Sequence, residues 1–244
     1  MATRKHAASE QRSSDHRLFA IGDVHGCADE LAVMLKALEL RAGDTIVFVG
    51  DYIDRGPDAR GVVELVLELQ KGAATAVFLK GNHEDMLLSY LGLPGHYGES
   101  FLFNGGMQTI ASYGLKRADP AEACAALPAP HLEFFRSLTN NYQRPPYLFV
   151  HAGVRPGLPL EDQEAEDLLW IRHEFIFSPH QLDATVVFGH TPMRTVMTDL
   201  PYKIGVDTGL VYGGSLSCVE FSEGVLYQVG RGSRAVKKSA IKVI

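Results

Sequence analysis

Leu18-Phe19-Ala20-Ile21-Gly22-Asp23-Val24-His25-Gly26 decides how this chain is read. Four apolar residues run straight into Gly, Asp and His, which describes a short buried strand ending in a loop of ligand-type side chains. An amphipathic helix is expected next, over 28–40, with Leu31, Met34, Leu35 and Leu38 on one face. The order then repeats. Ile46–Val49 leads into Gly50-Asp51-Tyr52-Ile53-Asp54-Arg55-Gly56, and Pro57 and Asp58 open a second helix carrying Val62, Val63, Leu65, Val66 and Leu69. Val77–Leu79 leads into a Gly81-Asn82-His83 loop and a helix from Glu84 to about Leu91. Further along, Leu148–Val150 precedes His151-Ala152-Gly153, and Val186–Phe188 precedes Gly189-His190-Thr191. Strand–loop–helix cycles imply an α/β fold, and in open α/β sheets ligands bind at the carboxyl ends of the strands.

Between and beyond these loops the pattern changes. Residues 92–146 are rich in Gly, Pro and Asn, with helices expected at His131–Leu138 and near Met107–Tyr113. The stretch reads as an inserted lid or cap, since loops on a rigid scaffold carry specificity. Strands return at Lys203–Val206, Ser215–Phe221 and Val225–Val229, with Gly213-Gly214 as a turn. The ligand loops spread from residue 22 to 191, so one catalytic domain is expected over 17–232. It would be flanked by a polar, disordered tail over 1–16 and a basic C-terminal tail over 233–244.

Composition narrows the function. A chain of 244 residues, 46% hydrophobic and 21% charged, can bury a sizeable core. The net charge of −6 offers no basic field for nucleic acid. No apolar run approaches the roughly 18 residues of a membrane span, and residues 1–16 lack the apolar centre of a signal peptide. Three scattered cysteines, Cys27, Cys124 and Cys218, fit a reducing compartment. A cytoplasmic monomer is the expectation.

A lone Asp after a strand is usually a turn or cap residue. Five ligand-bearing loops at one sheet edge are hard to obtain from capping alone. Phosphate-ester hydrolysis needs such an edge. General acid–base catalysis supplies about 10²- to 10⁴-fold, far short of the up to about 10²¹-fold that phosphate monoesters demand. Paired metal ions about 3.5–4 Å apart make up the difference. Asp23 and His25 can bind one ion, Asn82, His151 and His190 a second, and Asp51 can bridge them. The mixed Asp/His/Asn set suits Mn²⁺, Fe or Zn²⁺ better than an all-oxygen Mg²⁺ or Ca²⁺ cage.

In this order the motifs resemble the PPP family of metal-dependent serine/threonine protein phosphatases, within the calcineurin-like metallophosphoesterases, and most of all its bacterial and bacteriophage members. The resemblance extends to Asn104-Gly105-Gly106, Leu169-Trp170-Ile171-Arg172, Phe188-Gly189-His190-Thr191-Pro192 and Asp207-Thr208-Gly209, and covers about residues 18–221. It implies a sandwich of two mixed β-sheets flanked by helices, with a helical or loop lid. It further implies two divalent cations, Mn²⁺ foremost, with Asp23, His25 and Asp51 on one and Asp51, Asn82, His151 and His190 on the other. Arg55, Asn82 and Arg172 would hold the phosphoryl group. His83 would protonate the leaving alkoxide, with Asp54 holding its imidazolium. The reaction implied is direct attack on a phosphoprotein by a hydroxide bridging the ions, at phospho-Ser/Thr or phospho-Tyr.

Other residues have plainer readings. Arg55 could pair with Asp58, and Glu84 stabilises its helix N-terminus. Asp207-Thr208-Gly209 reads as a turn, Tyr212 as a possible substrate neighbour and Trp170 as a core anchor; His96, His131, His173 and His180 read as surface residues. The competing functions are a symmetrical dinucleoside tetraphosphate hydrolase and, from another class, a scaffold that binds phosphorylated partners without hydrolysing them.

Overall fold

A computed structural model describes residues 16–117 and 119–244. The tail expected over 1–16 thus lies outside the described residues, apart from His16. The elements run β1 (Leu18–Ile21), α1 (Ala28–Leu38), β2 (Thr45–Phe48), α2 (Ala59–Gln70), β3 (Thr75–Phe78) and α3 (Asn82–Tyr90). There follow α4 (Met107–Ser112), α5 (Pro120–Ala126), α6 (Ala129–Ser137), β4 (Asn141–Arg144), β5 (Tyr147–Val150), α7 (Ala165–Trp170) and α8 (His173–Phe177). The chain ends through β6 (Thr185–Phe188), β7 (Met197–Asp199), β8 (Lys203–Gly205), β9 (Ser215–Glu220), β10 (Val225–Gly230) and β11 (Val236–Ala240).

Two mixed sheets result, ordered β11-β10-β9-β1-β2-β3 and β4-β5-β6-β8-β7. In the first, β1, β2 and β3 are parallel; in the second, β5, β6 and β8 are parallel. Because strand side chains alternate, each sheet has two apolar faces to cover. Ala20, Val47, Val49 and Val219 from one sheet meet Phe149, Val187 and Ile204 from the other. Phe19, Ile21, Ile46 and Phe48 point the opposite way, onto Leu31 and Met34 of α1, Val62 and Val66 of α2, and Phe134 of α6. Leu148, Val150, Val186 and Phe188 pack outward against Leu168 and Phe175 of α7 and α8. Helix, sheet, sheet, helix is the layer order, the sandwich that the resemblance implied.

Three expectations change. Asn82 and His83 open α3 instead of lying in a loop, because Gly81 takes an extended N-cap conformation and Glu84 accepts its N–H at 2.9 Å. Part of the stretch over 92–146, expected as an inserted lid or cap, is built into the main fold. Phe134 and Phe135 of α6 are buried in the main core, and β4 pairs with β5. The C-terminal stretch over 233–244 is not a free tail either, since β11 extends the first sheet alongside β10. Lys237, Lys238 and Ser239 make it a polar edge strand, whose charged residues disguise the strand pattern.

Candidate metal and phosphate site

All five ligand loops reach the same edge, where the parallel strands of both sheets end. Their backbones are unusual. His25, Asp51, Asp54, Arg55 and His190 all have positive φ, from 44° to 69°. Non-glycine residues avoid this region unless the surroundings hold them there. At Gly50 (φ 108°) a Cβ would lie 2.7 Å from Gly81 N and 2.8 Å from His151 Nδ1. Only glycine lets these loops approach so closely.

Much of the holding is done by Glu84. Its fully buried carboxylate accepts N–H groups from Gly81 (2.9 Å), Asp51 (3.0 Å), Tyr52 (2.8 Å) and Ile53 (3.2 Å). Burial, with the Asp51 charge, pushes Glu84 up to about 8. Four N–H donors nevertheless demand the ionised, acceptor-only form. The N-cap role read from sequence is therefore one bond in four. The other three pin the loop that carries Asp51.

The donor set fits a cation. His151 donates Nδ1–H to Val49 O at 2.8 Å, which leaves its Nε2 a lone pair. That Nε2 lies 3.0 Å from Asn82 Oδ1, 3.1 Å from His190 Nδ1 and 3.5 Å from Asp51 Oδ1. His190 Nδ1 is 3.0 Å from the same Asn82 oxygen, and the buried His190 Nε2 has no hydrogen-bond partner among the described residues. One imidazole proton at most serves four acceptors, a deficit that a cation makes good. Beside this group, His25 donates Nδ1–H to Ile53 O (2.8 Å) and turns its Nε2 to Asp51 Oδ2 (3.4 Å) and Arg55 Nη1 (2.6 Å). Backbone carbonyls thus set both tautomers. Burial drives His25 down to about 3 and lowers His151 and His190 too, keeping all three neutral and able to ligate.

Asp51, His151 and His190 form one tight donor group, and His25, Asp51 and His83 another. Asp51 belongs to both. Asp23 joins neither; its carboxylate accepts the His190 N–H at 3.0 Å. It faces Asp207 and Asp51, and burial together with these charges raises its pKa well above the ordinary value. Asp207, read from sequence as a turn residue, is therefore a neighbour of the site. Burial, with Asp51 acting against the Gly209 N–H, pushes it up to about 6.

His83 sits on the floor. Its Nδ1 is 2.6 Å from Asp54 Oδ2, and its Nε2 points back toward Asp51 Oδ2 at 4.0 Å. Burial works against a charged His83, but Asp51 and the Asp54 hydrogen bond outweigh it and raise its pKa. Burial raises Asp54 as well, so both shifts favour a proton held within the pair.

The two arginines differ. Arg55 is half-buried on the His25 side, beneath the Tyr212 ring (5.6 Å), and leaves Asp58 to cap α2. Arg172 lies in the turn between α7 and α8, exposed and without an ion-pair partner among the described residues. Its charge adds to the burial that lowers the pKa values of His151 and His190. Trp170 packs at the core margin, as expected of an anchor, yet its ring is also 6.4 Å from that of His190. His131 and His180 are buried, not surface residues. His131 pairs with the Tyr113 hydroxyl, and His180 Nε2 donates to Tyr202 O.

Residues 16–221 match the family described as calcineurin-like phosphoesterase. The chain belongs to that family. This phosphoesterase is 32% identical, over 82% of its length and 89% of the relative's, to serine/threonine-protein phosphatase 1 of Salmonella typhimurium. It is 28% identical to the asymmetrical bis(5'-nucleosyl)-tetraphosphatase PrpE of Halalkalibacterium halodurans, over 83% of this chain and 89% of that one. Among solved structures it resembles a putative diadenosine tetraphosphatase, with a TM-score of 0.68 and 26% identity, covering 90% and 95% of the two chains. The phosphoesterase is therefore a metal-dependent hydrolase by family, and its relatives are named for more than one kind of phosphate substrate.

Sequence reasoning missed Thr109, which touches Asp54, and underrated Glu84. For Thr109 the available signal was its place three residues after Asn104-Gly105-Gly106. For the Glu84 clamp there was none, because its partners lie 31 to 33 residues away.

Proposed function

We propose that this phosphoesterase removes phosphoryl groups from phosphorylated proteins or peptides, with His83 as general acid. The buried His83–Asp54 pair beside the converging ligand atoms carries the reading. An alkoxide is a poor leaving group, and the imidazolium can store a proton at Nε2 while Asp54 holds Nδ1. Arg55 meets the floor at His25, and Arg172 stands in the turn after Trp170, whose ring faces His190. Their planar guanidinium groups suit the bidentate grip of a phosphoryl group, and the Asn82 amide would add a further donor. His25 and Asp51, with Asp23, would hold one divalent cation, and Asp51, Asn82, His151 and His190 the second. Bound there, the ions would supply Lewis acidity that neutralises phosphoryl oxygens and eases deprotonation of the attacking water. Nitrogen and oxygen donors together favour Mn²⁺, Fe or Zn²⁺, and the three free cysteines support a reducing, cytoplasmic setting.

A cleft of about 520 Å³ next to Arg172 favours a protein substrate over a polyphosphate. It is lined by Asp162, Glu164, Glu166, Asp167 and Glu174, against Arg155 and Arg172. Arg155 pairs with Asp167 and Glu174 at 2.5 and 3.0 Å, so the remaining three carboxylates repel a long anionic chain. The second reading, dinucleoside polyphosphate hydrolysis, draws on the relatives that carry that name, of the asymmetrical type. The deciding assay strips the metal, restores Mn²⁺, Zn²⁺, Fe²⁺ or Mg²⁺, and offers phosphopeptides and diadenosine tetraphosphate side by side. Faster turnover of phosphopeptide is expected. Comparable or faster tetraphosphate cleavage reverses the ranking, and no hydrolysis with any metal points to a binding scaffold.

A further inference from the structure

We infer that Thr109 is a positioning residue that acts through Asp54 on His83, and so on protonation of the leaving group. The inference rests on the reading of His83 as the acid. Thr109 lies on α4, in the segment that the sequence presents as an insertion, and is fully buried. Its hydroxyl donates to Asp54 Oδ1 at 2.6 Å, because a carboxylate oxygen can only accept. The same Oγ accepts the Asp54 N–H at 2.9 Å. Asp54 Oδ2 takes His83 Nδ1 at 2.6 Å. The three side chains form one line from Thr109 to Asp54 to His83.

The backbone gives the hydroxyl its weight. Asp54 and Arg55 are consecutive residues in the left-handed region, at φ 69° and 66°. Asp54 N–H is held by Thr109, and Arg55 N–H by Gly105 O at 3.1 Å. Residues 105–109 therefore hold two adjacent left-handed residues, one carrying the carboxylate of the acid pair and one a phosphate-gripping arginine. Asp54 is 0% exposed, so water cannot replace a lost partner. Without the hydroxyl, the Asp54 N–H and Oδ1 both lose their partner. The carboxylate is then free to turn, and the His83 ring loses its anchor. The consequence falls on departure of an alkoxide, which needs a proton, and spares departure of nitrophenolate, which barely does.

The test measures turnover of glycerol 2-phosphate and p-nitrophenyl phosphate by the Mn²⁺-loaded wild-type protein and by Thr109→Val, Thr109→Ala, Thr109→Ser and His83→Ala. Removing the hydroxyl should slow alkyl phosphate turnover about 10- to 100-fold, the scale of a misplaced catalytic group, with little change on nitrophenyl phosphate. Thr109→Ser should keep the wild-type ratio. Adding Thr109→Val to His83→Ala should lower the ratio no further, as expected of residues acting in one line. Equal loss on both substrates, an unchanged ratio in the Val and Ala variants, or a Ser variant that behaves like Val would overturn the inference. Should Thr109→Val fail to fold, the Ala and Ser variants carry the comparison. If His83→Ala leaves the ratio intact, the acid assignment itself falls. If His83→Ala collapses the ratio and the Thr109 variants do not, only the role of Thr109 falls.

Discussion

Asp51, Asn82, His83, His151 and His190, on the floor of the site, are 0–4% exposed, whereas Tyr212, above Arg55, is 63% exposed and Arg172 is open to solvent. The floor residues are braced repeatedly: Glu84 holds the Asp51 loop, carbonyls hold His25 and His151, and Thr109 holds Asp54. Among the described residues Arg172 has no ion-pair partner, and the Arg55 guanidinium lies against the Tyr212 ring. The difference separates two tasks. A metal-binding floor tolerates little displacement and is built from fixed, dry side chains. Under the proposed function, substrate choice would fall to solvated groups at the edge, where changes cost the fold little.

The largest break in this contrast should come from Asp51→Asn, which removes the carboxylate shared by both donor groups. Turnover of every phosphate ester should fall by about 10³-fold or more, since losing even one donor to developing charge costs 10²- to 10³-fold. Steady-state assays with saturating Mn²⁺ check it. Glu84→Gln touches no ligand atom but puts an amide NH₂ against backbone N–H groups. Mn²⁺ affinity, read by calorimetry, should drop about 10- to 100-fold. Unchanged affinity would show the Asp51 loop to be stiff without its clamp. On the rim, Arg172→Ala should lower kcat/KM about 10-fold and mainly through KM, as expected for a partly solvated charged contact. A fall confined to kcat would move Arg172 from the rim to the chemistry.

The smallest effect concerns a buried carboxylate with no catalytic task. Asp44 accepts Arg17 Nη2 at 2.6 Å and the N–H groups of Arg17 and Arg41, and against the effect of burial these bonds lower its pKa. A depressed folded value means the unfolded chain binds the proton more readily. The stabilisation is therefore present above the unfolded value of about 3.9 and lost as pH falls through the folded one. Asp44→Asn should cost about 1–3 kcal/mol at pH 7, weaken the dependence of melting temperature on acid, and leave kcat unaltered. Loss of activity there would blur the line between floor and framework.

Much of the floor is legible in the sequence. Apolar runs ending in Gly-Asp, Gly-Asn or His carry strand and ligand in the same few residues, so a local pattern suffices to place them at one edge. The core position of helix α6, though not the helix itself, and strand β11 escape such a pattern for the opposite reason. Phe134 and Phe135 declare a core only once α2 and α3 lie beneath them, and Lys237-Lys238 can form a strand only against β10. Asp23 shows the limit even within a motif: its loop is where expected, yet its carboxylate turns to the His190 N–H, 167 residues away.

By itself, then, the sequence determined the α/β class, the strand-end loops and the chemical types of the ligands, because each depends on neighbours within a few residues. Tertiary structure alone decided that Glu84 grips the loop carrying Asp51, Tyr52 and Ile53, and that Thr109 stands behind the Asp54–His83 pair. These are contacts between buried polar atoms on separate elements. Which donor meets which acceptor is settled only when two sheets and their helices exclude water from the place where they meet.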